Sequence, residues 1–466
     1  MTKISCWETL SAFIGISTQK LLLCFFDMLT LLGTAMLVFL VRAAFGGVDP
    51  ALYHGAVPIL LMGPIFGAGL GLYQSISPAP HRELKALFQL VSLLYAIILA
   101  VLFMSKVGDA YSRFVIVGSW AATLVTMPLA RYLCRHLYSR RRWWGKPLII
   151  FDHCSEGREL WRYLKRHPER GLNPVAIFDL PDTAEEMCAL FASVSERYPR
   201  AMALLLQKIG QAQKTDAITE ACRYFSNTLV VPSFGGGFKV HWLTPRDLGT
   251  AVGLLVRQNL RDKRRLFIKR TLDLVLCLLG AVVLLPLGAA LALVIKADSP
   301  GPVFFRQKRI GQHGKEIRIF KFRTMVNDAD KVLKDMLASD DALQKEWACD
   351  RKLKCDPRIT RVGRLLRKLS LDELPQLLNV VMGDMSLVGP RPIVQSEVGK
   401  YGQVFEEYCM VKPGITGLWQ VSGRNNTTYQ ERVNFDQYYI SNWSVWMDLW
   451  ILIKTVPVVI FGYGAY

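Results

Sequence analysis

Residues 366–392 read Leu-Arg-Lys-Leu-Ser-Leu-Asp-Glu-Leu-Pro-Gln-Leu-Leu-Asn-Val-Val-Met-Gly-Asp-Met-Ser-Leu-Val-Gly-Pro-Arg-Pro. Two adjacent carboxylates, Asp372 and Glu373, fall at a predicted helix start. Arg367 and Lys368 precede them, and a stiff Gly389-Pro390-Arg391-Pro392 turn follows. Ser370-Leu371-Asp372-Glu373 fits the S-x-x-E capping box. Alternatively Asp372 caps the helix, with Pro375 in its tolerant first turn. Ordinary capping is the plain alternative to chemistry here. The basic setting favours chemistry, because a helix N-terminus attracts anions and an arginine grips phosphate bidentately. Glu373 is a candidate Mg²⁺ ligand, since Mg²⁺ takes one or two carboxylates plus substrate phosphate oxygens. The combination is that of a carboxylate nucleophile facing a metal-bound phosphoryl group.

Working outward, the 466 residues are 51% hydrophobic and carry a formal net charge of +19. Such a balance suits phosphorylated ligands, anionic lipid or nucleic acid. The long apolar runs favour the first two, and no nucleic-acid-binding signature is present. The 10 cysteines include no CxxC pair, and Cys349 and Cys355 lack histidines at zinc spacing. They read as free thiols of a reducing compartment. No cleavable signal is expected, because the first apolar run starts near residue 20 without a small-residue cleavage pattern.

Four apolar segments, Leu21–Val41, Ala51–Tyr73, Leu84–Met104 and Phe114–Leu133, are each close to a bilayer span. Lys3, Lys20, Arg82 and Lys85, and then Arg131, Arg135, Arg140, Arg141, Arg142 and Lys146, mark the cytoplasmic side by the positive-inside rule. Residues 1–145 are thus expected to be a four-helix transmembrane unit with both ends in the cytoplasm. Residues 146–256 alternate strand and helix, with strand candidates Pro147–Phe151, Val175–Phe178, Ala201–Leu206 and Thr228–Val231. This pattern predicts a small Rossmann-like cytoplasmic module. Its first turn, Asp152-His153-Cys154-Ser155-Glu156-Gly157, has one glycine and two acids, which suits a structural or regulatory spacer better than a dinucleotide site.

Residues 257–466 form the third expected domain. A basic stretch with Arg257, Arg261, Lys263, Arg264, Arg265, Lys269 and Arg270 reads as a membrane-surface helix. The apolar segment 272–295 follows, with Pro286 near its middle and basic residues on both sides. Proline breaks a helix, so a re-entrant helix-break-helix returning to the cytoplasm is expected. The tail Trp443–Tyr466, with Trp443, Trp446 and Trp450 on one face, reads as an interfacial amphipathic helix. Lys321 and Arg323 alternate with Phe322 at the end of a predicted strand and share a face for phosphate; an edge strand with solvated charges is the alternative. A basic, hydroxyl-bearing loop runs from Lys412 to Arg424. Tyr429, Arg432 and Asp436 share a helical face, where a surface ion pair is the simpler reading of the last two.

Taken together, Lys-Phe-Arg-Thr-Met (321–325), Ser-Leu-Asp-Glu-Leu-Pro-Gln (370–376), Gly-Asp-Met-Ser-Leu-Val-Gly-Pro-Arg-Pro (383–392) and Lys-Pro-Gly-Ile-Thr-Gly-Leu-Trp-Gln-Val-Ser-Gly-Arg-Asn (412–425) resemble the bacterial sugar transferases, the monotopic polyprenyl-phosphate phosphoglycosyl transferases. The resemblance covers about residues 262–466, and the N-terminal architecture is similar to the family's long form. It implies that Asp372 attacks a UDP-sugar to give a phosphosugar-aspartyl intermediate and UMP. Undecaprenyl phosphate then takes the phosphosugar, galactose 1-phosphate being favoured over glucose 1-phosphate. Glu373 would hold Mg²⁺; Arg367, Lys321 and Arg391 would manage phosphate charge, with Arg323, Arg424, Arg432 and Asp436 completing the substrate site. Pro286 would break the re-entrant helix; the family usually has Ser-Pro there, and this chain has Leu285-Pro286. A homodimer at the bacterial inner membrane is implied by analogy, with no nucleic-acid partner.

Overall fold

The computed structural model describes residues 18–46, 49–74, 76–105, 111–141, 143–152, 157–181, 183–208, 215–233, 243–247, 252–256, 260, 262–329, 331–333, 338, 356–423 and 427–461. Arg257, Arg261, Arg424 and the turn 153–156 lie outside them. The chain divides into two compact units, residues 1–240 and 241–466. The expected helical unit and α/β module thus share the first.

Three of the four expected membrane segments are single long helices: Thr18–Ala43, Pro80–Met104 and Arg113–Tyr138. The second is corrected. Residues 50–69 form three short helices, Pro50–Tyr53, Ala56–Leu61 and Gly63–Gly69. Pro58 and Pro64 bring no N–H and lie in the first turns of the second and third of these helices, where proline is tolerated but a preceding helix cannot run on through it. The glycines there also serve packing: a Cβ on Gly63 would lie 2.6 Å from Leu31 Cδ1. The fourth helix long and apolar enough to cross a membrane is instead Arg264–Asp298 in the second unit.

A buried ionic network locks the first unit. Arg131 (1% exposed) donates from Nε to Asp27 Oδ1 (2.8 Å) and from Nη1 to Glu83 Oε1 (2.7 Å). Tyr73 donates to the other Asp27 oxygen, and Arg135 pairs with Glu83. Arg131 and Arg135, expected as flanking cytoplasmic charges, are therefore internal partners of two helix carboxylates. An unpaired charge in an apolar bundle is too costly to leave there.

The four expected strands of the module form at Lys146–Asp152 (β1), Leu172–Asp179 (β2), Met202–Lys208 (β3) and Thr228–Ser233 (β4). They make one parallel sheet in the order β2-β1-β3-β4, with Ile150 aligned to Ile177 and Leu204. The run Leu148–Phe151 is fully buried, as a parallel strand covered by helices on both faces requires. Asp152 Oδ2 accepts the Gly157 N–H (2.7 Å), which ties the end of β1 to the start of the following helix.

The second unit begins with the hairpin Leu243–Asp247 (β5) and Val252–Val256 (β6), followed by the helix Lys263–Asp298. That helix is unbroken at Pro286, which corrects the expected helix-break-helix. Proline costs one hydrogen bond and crowds the Val282 carbonyl, but a helix with apolar surroundings keeps its remaining bonds. Both ends are tied to the same unit. Arg270 donates to the last-turn carbonyls of Val380 (2.5 Å) and Val381 (2.9 Å), and Asp298 accepts the Val362 N–H (3.3 Å). Between these ends Leu278, Val282, Leu285 and Leu293 are exposed.

Lys269, expected on a membrane surface, is buried: its Nζ donates to Asp448 (2.7 Å), Tyr439 (3.1 Å) and the Val388 carbonyl (3.0 Å). The tail helix is Val445–Phe461, and Trp443 lies before it, buried against Asp448 rather than at an interface. An antiparallel pair, Phe304–Ile310 (β7) and Glu316–Phe322 (β8), and a parallel pair, Ser386–Val388 (β9) and Gly414–Thr416 (β10), complete the frame of the site.

Candidate active site

A cavity of about 820 Å³ opens in the second unit, within the size range of small-molecule sites. Lys321, Arg323, Arg367, Asp372, Glu373 and Arg391 all line it. Its apolar wall includes Leu284 of the long helix, Phe304, Phe322 and Leu452. The sequence-predicted dyad and four of its basic partners are therefore brought together.

The local backbone differs from the expected helix cap. Leu371–Glu373 is a 3₁₀ turn, and the helix Gln376–Met382 starts after Pro375. Ser370 has φ 55°, in the left-handed region, and makes no capping bond. An N-cap needs extended backbone, so this conformation rules the capping box out. Left-handed non-glycine residues are strained and cluster at functional sites. Freed from capping, Glu373 accepts from Lys321 Nζ at 2.7 Å, and the same ammonium stands 3.9 Å from Asp372.

Arg367 comes from the helix Arg361–Lys368, whose first turn is capped by Thr360 accepting the Gly363 N–H (2.9 Å). Gly363 packs directly on the Thr324 backbone, where a Cβ would collide. This close approach lets Arg367 Nε donate to Thr324 Oγ1 at 2.9 Å. Arg323 takes a different part from the one expected. Its guanidinium donates to the carbonyls of Ser299 (2.6 Å) and Pro300 (2.9 Å), fastening the end of the long helix.

The two carboxylates differ electrostatically. Burial pushes the Asp372 carboxyl above its ordinary range, with Glu373 adding to the rise while Lys321 and Arg367 oppose it. Burial acts on Glu373 too, but there Lys321, Arg391 and Arg309 outweigh it and hold the carboxyl below the usual range. Neighbouring carboxylates pushed apart in this way are a mark of catalytic pairs.

Arg432 and Asp436 do not line the cavity, and they do not form the surface pair considered from the sequence. Arg432 faces Glu397 (3.8 Å) and lies over the rings of Trp419 (4.7 Å) and Tyr429 (5.3 Å). Asp436 is buried and accepts from Tyr401 OH (2.7 Å). Burial raises its carboxyl to about 7, against the Tyr401 bond and the charges of Arg432 and Arg391; Tyr408 and Tyr429 also feel its charge. The folded chain therefore holds a proton that the unfolded chain, with an ordinary Asp pKa near 3.9, has already lost. Stability should fall by at most about 1.4 kcal/mol per pH unit between about pH 4 and 7 and level off above. Thermal melts of wild type and Asp436→Asn across this range test it: the difference between them should shrink at acid pH by that slope, and parallel curves would refute it.

Arg309 is the residue that sequence reasoning missed. It sits in β7, where Arg306, Lys308 and Arg309 look like ordinary surface charge. Only the fold brings it near Glu373 and Arg391.

The sequence comparisons agree with this geometry. Residues 264–462 match the family described as bacterial sugar transferase. Along 82% of both chains, the sequence is 37% identical to an undecaprenyl-phosphate galactose phosphotransferase of Salmonella typhimurium. The chain belongs to the bacterial sugar transferase family. It is also 36% identical, over 82% of each chain, to a UDP-galactose-lipid carrier transferase of Erwinia amylovora. Identity is 32%, over 70% of this chain and 69% of the relative, to a UDP-glucose:undecaprenyl-phosphate glucose-1-phosphate transferase of Escherichia coli. Residues 68–199 match a second family, described as a CoA-binding domain.

Proposed function

We propose that this bacterial sugar transferase moves a hexose 1-phosphate, galactose 1-phosphate in the favoured reading, from a UDP-sugar to undecaprenyl phosphate. UMP is released, and the product opens O-antigen, capsule or exopolysaccharide synthesis. The observation that carries the reading is the largely buried Asp372–Glu373 pair, held by Lys321 beside Arg367 in a cavity with one apolar wall. Galactose is preferred because the relatives at 37% and 36% identity bear galactose names; the glucose reading rests on the relative at 32%.

In this reading an Asp372 carboxylate oxygen attacks the β-phosphorus of the donor. The bond from that phosphorus to the bridging oxygen breaks, and its electron pair leaves with UMP. An oxygen of the lipid phosphate then attacks the same phosphorus and frees the carboxylate. No net proton is transferred. Arg367, steadied by Thr324, neutralises the transferred phosphate, and Lys321 orients both carboxylates.

The residues fit a Mg²⁺ ion. Glu373 stays ionised, and no group of three His, Cys, Asp or Glu among the described residues forms a cage of its own. Glu373 would hold the ion together with donor phosphate oxygens, which is the mixed coordination Mg²⁺ prefers. The ion would supply charge neutralisation at the diphosphate. Turnover should vanish on chelation and return with Mg²⁺; full activity in a chelator would remove the metal from the scheme.

The long helix, unbroken and tied to the second unit at both ends, is read as lying in the inner membrane with that unit on its cytoplasmic face. The parallel sheet is read as a Rossmann-like module with a structural or regulatory role. A homodimer belongs to the same proposal, and light scattering of the solubilised protein checks it. The direct test is UMP release from UDP-galactose and from UDP-glucose, with and without undecaprenyl phosphate. Lipid-dependent turnover names the sugar. Release of free sugar phosphate without any acceptor would make the protein a phosphohydrolase instead.

A further inference from the structure

A second cavity, of about 610 Å³, lies in the first unit among the long helices Thr18–Ala43, Pro80–Met104 and Arg113–Tyr138. Leu32, Phe39, Ile98 and Ile116 stand in its wall. The short helices of the broken second segment border it through Tyr53, Ala56 and Ile59. A Cβ on Gly55, also in the wall, would meet nothing within 4 Å. Such a space is far from the close packing of a protein interior, and the atoms around it lack contacts on one side.

The hydroxyls of the wall are already engaged. Tyr111 OH donates to the Leu52 carbonyl (2.7 Å), Tyr53 OH accepts the Ser112 N–H (2.9 Å), and Ser105 Oγ donates to the Leu102 carbonyl (3.1 Å). Ser119 Oγ donates to the Val115 carbonyl. Among the described residues Tyr95 OH finds no partner, but it is sealed in the packing and does not open onto the cavity. A water needs two to four polar partners to settle in such a place, so the space suits hydrocarbon.

Shape points to the kind of hydrocarbon. Met36, Val57 and Val101 are wall residues that are apolar and exposed. Met36 and Val101 lie inside their helices, so the cavity opens sideways, toward the bilayer, rather than only at the end of the bundle. From Tyr95 to Ser105 the wall follows ten residues, or about 15 Å. The hydrocarbon core of a bilayer is about 30 Å thick, so the cavity has the depth of one leaflet.

We propose that this cavity holds one acyl chain of a bilayer phospholipid, bound as a structural lipid of the first unit. The inference rests on reading the three long helices as membrane spans and is independent of the transferase reading. A chain at its natural depth enters through the side opening and supplies the contacts that the broken second segment leaves unmade. In a membrane this gain is dispersion rather than hydrophobic effect, because the surrounding lipid is equally apolar. A polyprenyl chain is much longer than one leaflet is deep and would overrun the space.

The test uses the full-length protein released from phosphatidylethanolamine–phosphatidylglycerol nanodiscs and weighed by native mass spectrometry. Wild type should keep one phospholipid per chain under activation that strips the rest. Ala35→Phe and Ala56→Phe each put a ring into the cavity, and Val125→Phe, on an exposed position outside it, is the control. Retained phospholipid should fall at least about fivefold in both filled variants, since the ring takes the contacts that hold the chain, and stay level in the control. In lipid-free detergent, added phosphatidylglycerol should raise the melting temperature of wild type and control but not of the filled variants. Equal retention in filled and wild-type protein overturns the proposal, as does a wild type that keeps no phospholipid, a result that decides even if both filled variants fail to fold. Replacement of the retained phospholipid by polyprenyl phosphate, when both are present in the nanodisc, would give the cavity to the other lipid and overturn the acyl-chain assignment. A chain that stays monodisperse without detergent or lipid would remove the membrane reading and the site with it.

Discussion

Asp372→Asn should lower UMP release by at least about a thousandfold, the scale seen when a covalent nucleophile is removed. An amide of the same shape has no carboxylate oxygen to form the bond to phosphorus. The fold should survive the change. Asp372 approaches Lys321 only at 3.9 Å, whereas Glu373 holds the direct 2.7 Å bond. Burial already works against the Asp372 charge, so a neutral side chain relieves a cost. The melting temperature should therefore stay level or rise while activity disappears. Glu373→Gln gives the contrast: it strands the Lys321 ammonium and should lose both activity and stability. A folded Asp372→Asn protein with near-normal turnover would show that another group attacks the donor.

Arg131→Met should cost the first unit about 3–5 kcal/mol, the usual penalty for breaking a buried ion pair. The substitution leaves Asp27 and Glu83 buried, with Arg135 as the one remaining basic partner. Since domains are stable by only about 5–15 kcal/mol, much of the folded population would be lost. Arg135→Met should be milder, because Glu83 keeps Arg131. Combining Arg131→Met with Asp27→Asn should recover much of the loss, since it removes the stranded Asp27 charge and leaves the Glu83–Arg135 pair in place. Size-exclusion recovery and melting of the solubilised protein distinguish these cases. Equal stability of Arg131→Met and wild type would mean that the network is incidental.

Local sequence patterns made much of this architecture legible. The four strands of the parallel sheet lie where short apolar runs predicted them, because a strand buried on both faces leaves a contiguous signal. Three long membrane helices were equally plain. What escaped depends on partners distant in sequence. Arg131 looks like a flanking charge until the fold sets Asp27 beside it. Lys269 looks like a membrane-surface charge until the tail brings Asp448. Arg323 shares a face pattern with Lys321, yet the adjacent helix end claims its guanidinium. Ser370 carries the letters of a capping box, but its left-handed backbone cancels the cap and turns Glu373 toward Lys321. The dyad itself was visible because its two carboxylates are adjacent, whereas Arg309 became visible only through the pairing of β7 with β8.

The central claim, a sugar phosphate carried on Asp372, is tested most directly by a single-turnover experiment without lipid. Protein, UDP-sugar and Mg²⁺ are mixed in the absence of undecaprenyl phosphate, and UMP and intact protein mass are followed together. The covalent scheme predicts a burst of at most one UMP per active site and a matching gain of one hexose phosphate in mass, both absent in Asp372→Asn. UMP that appears only after lipid is added, from a protein whose mass never changes, would mean direct transfer and would contradict the account.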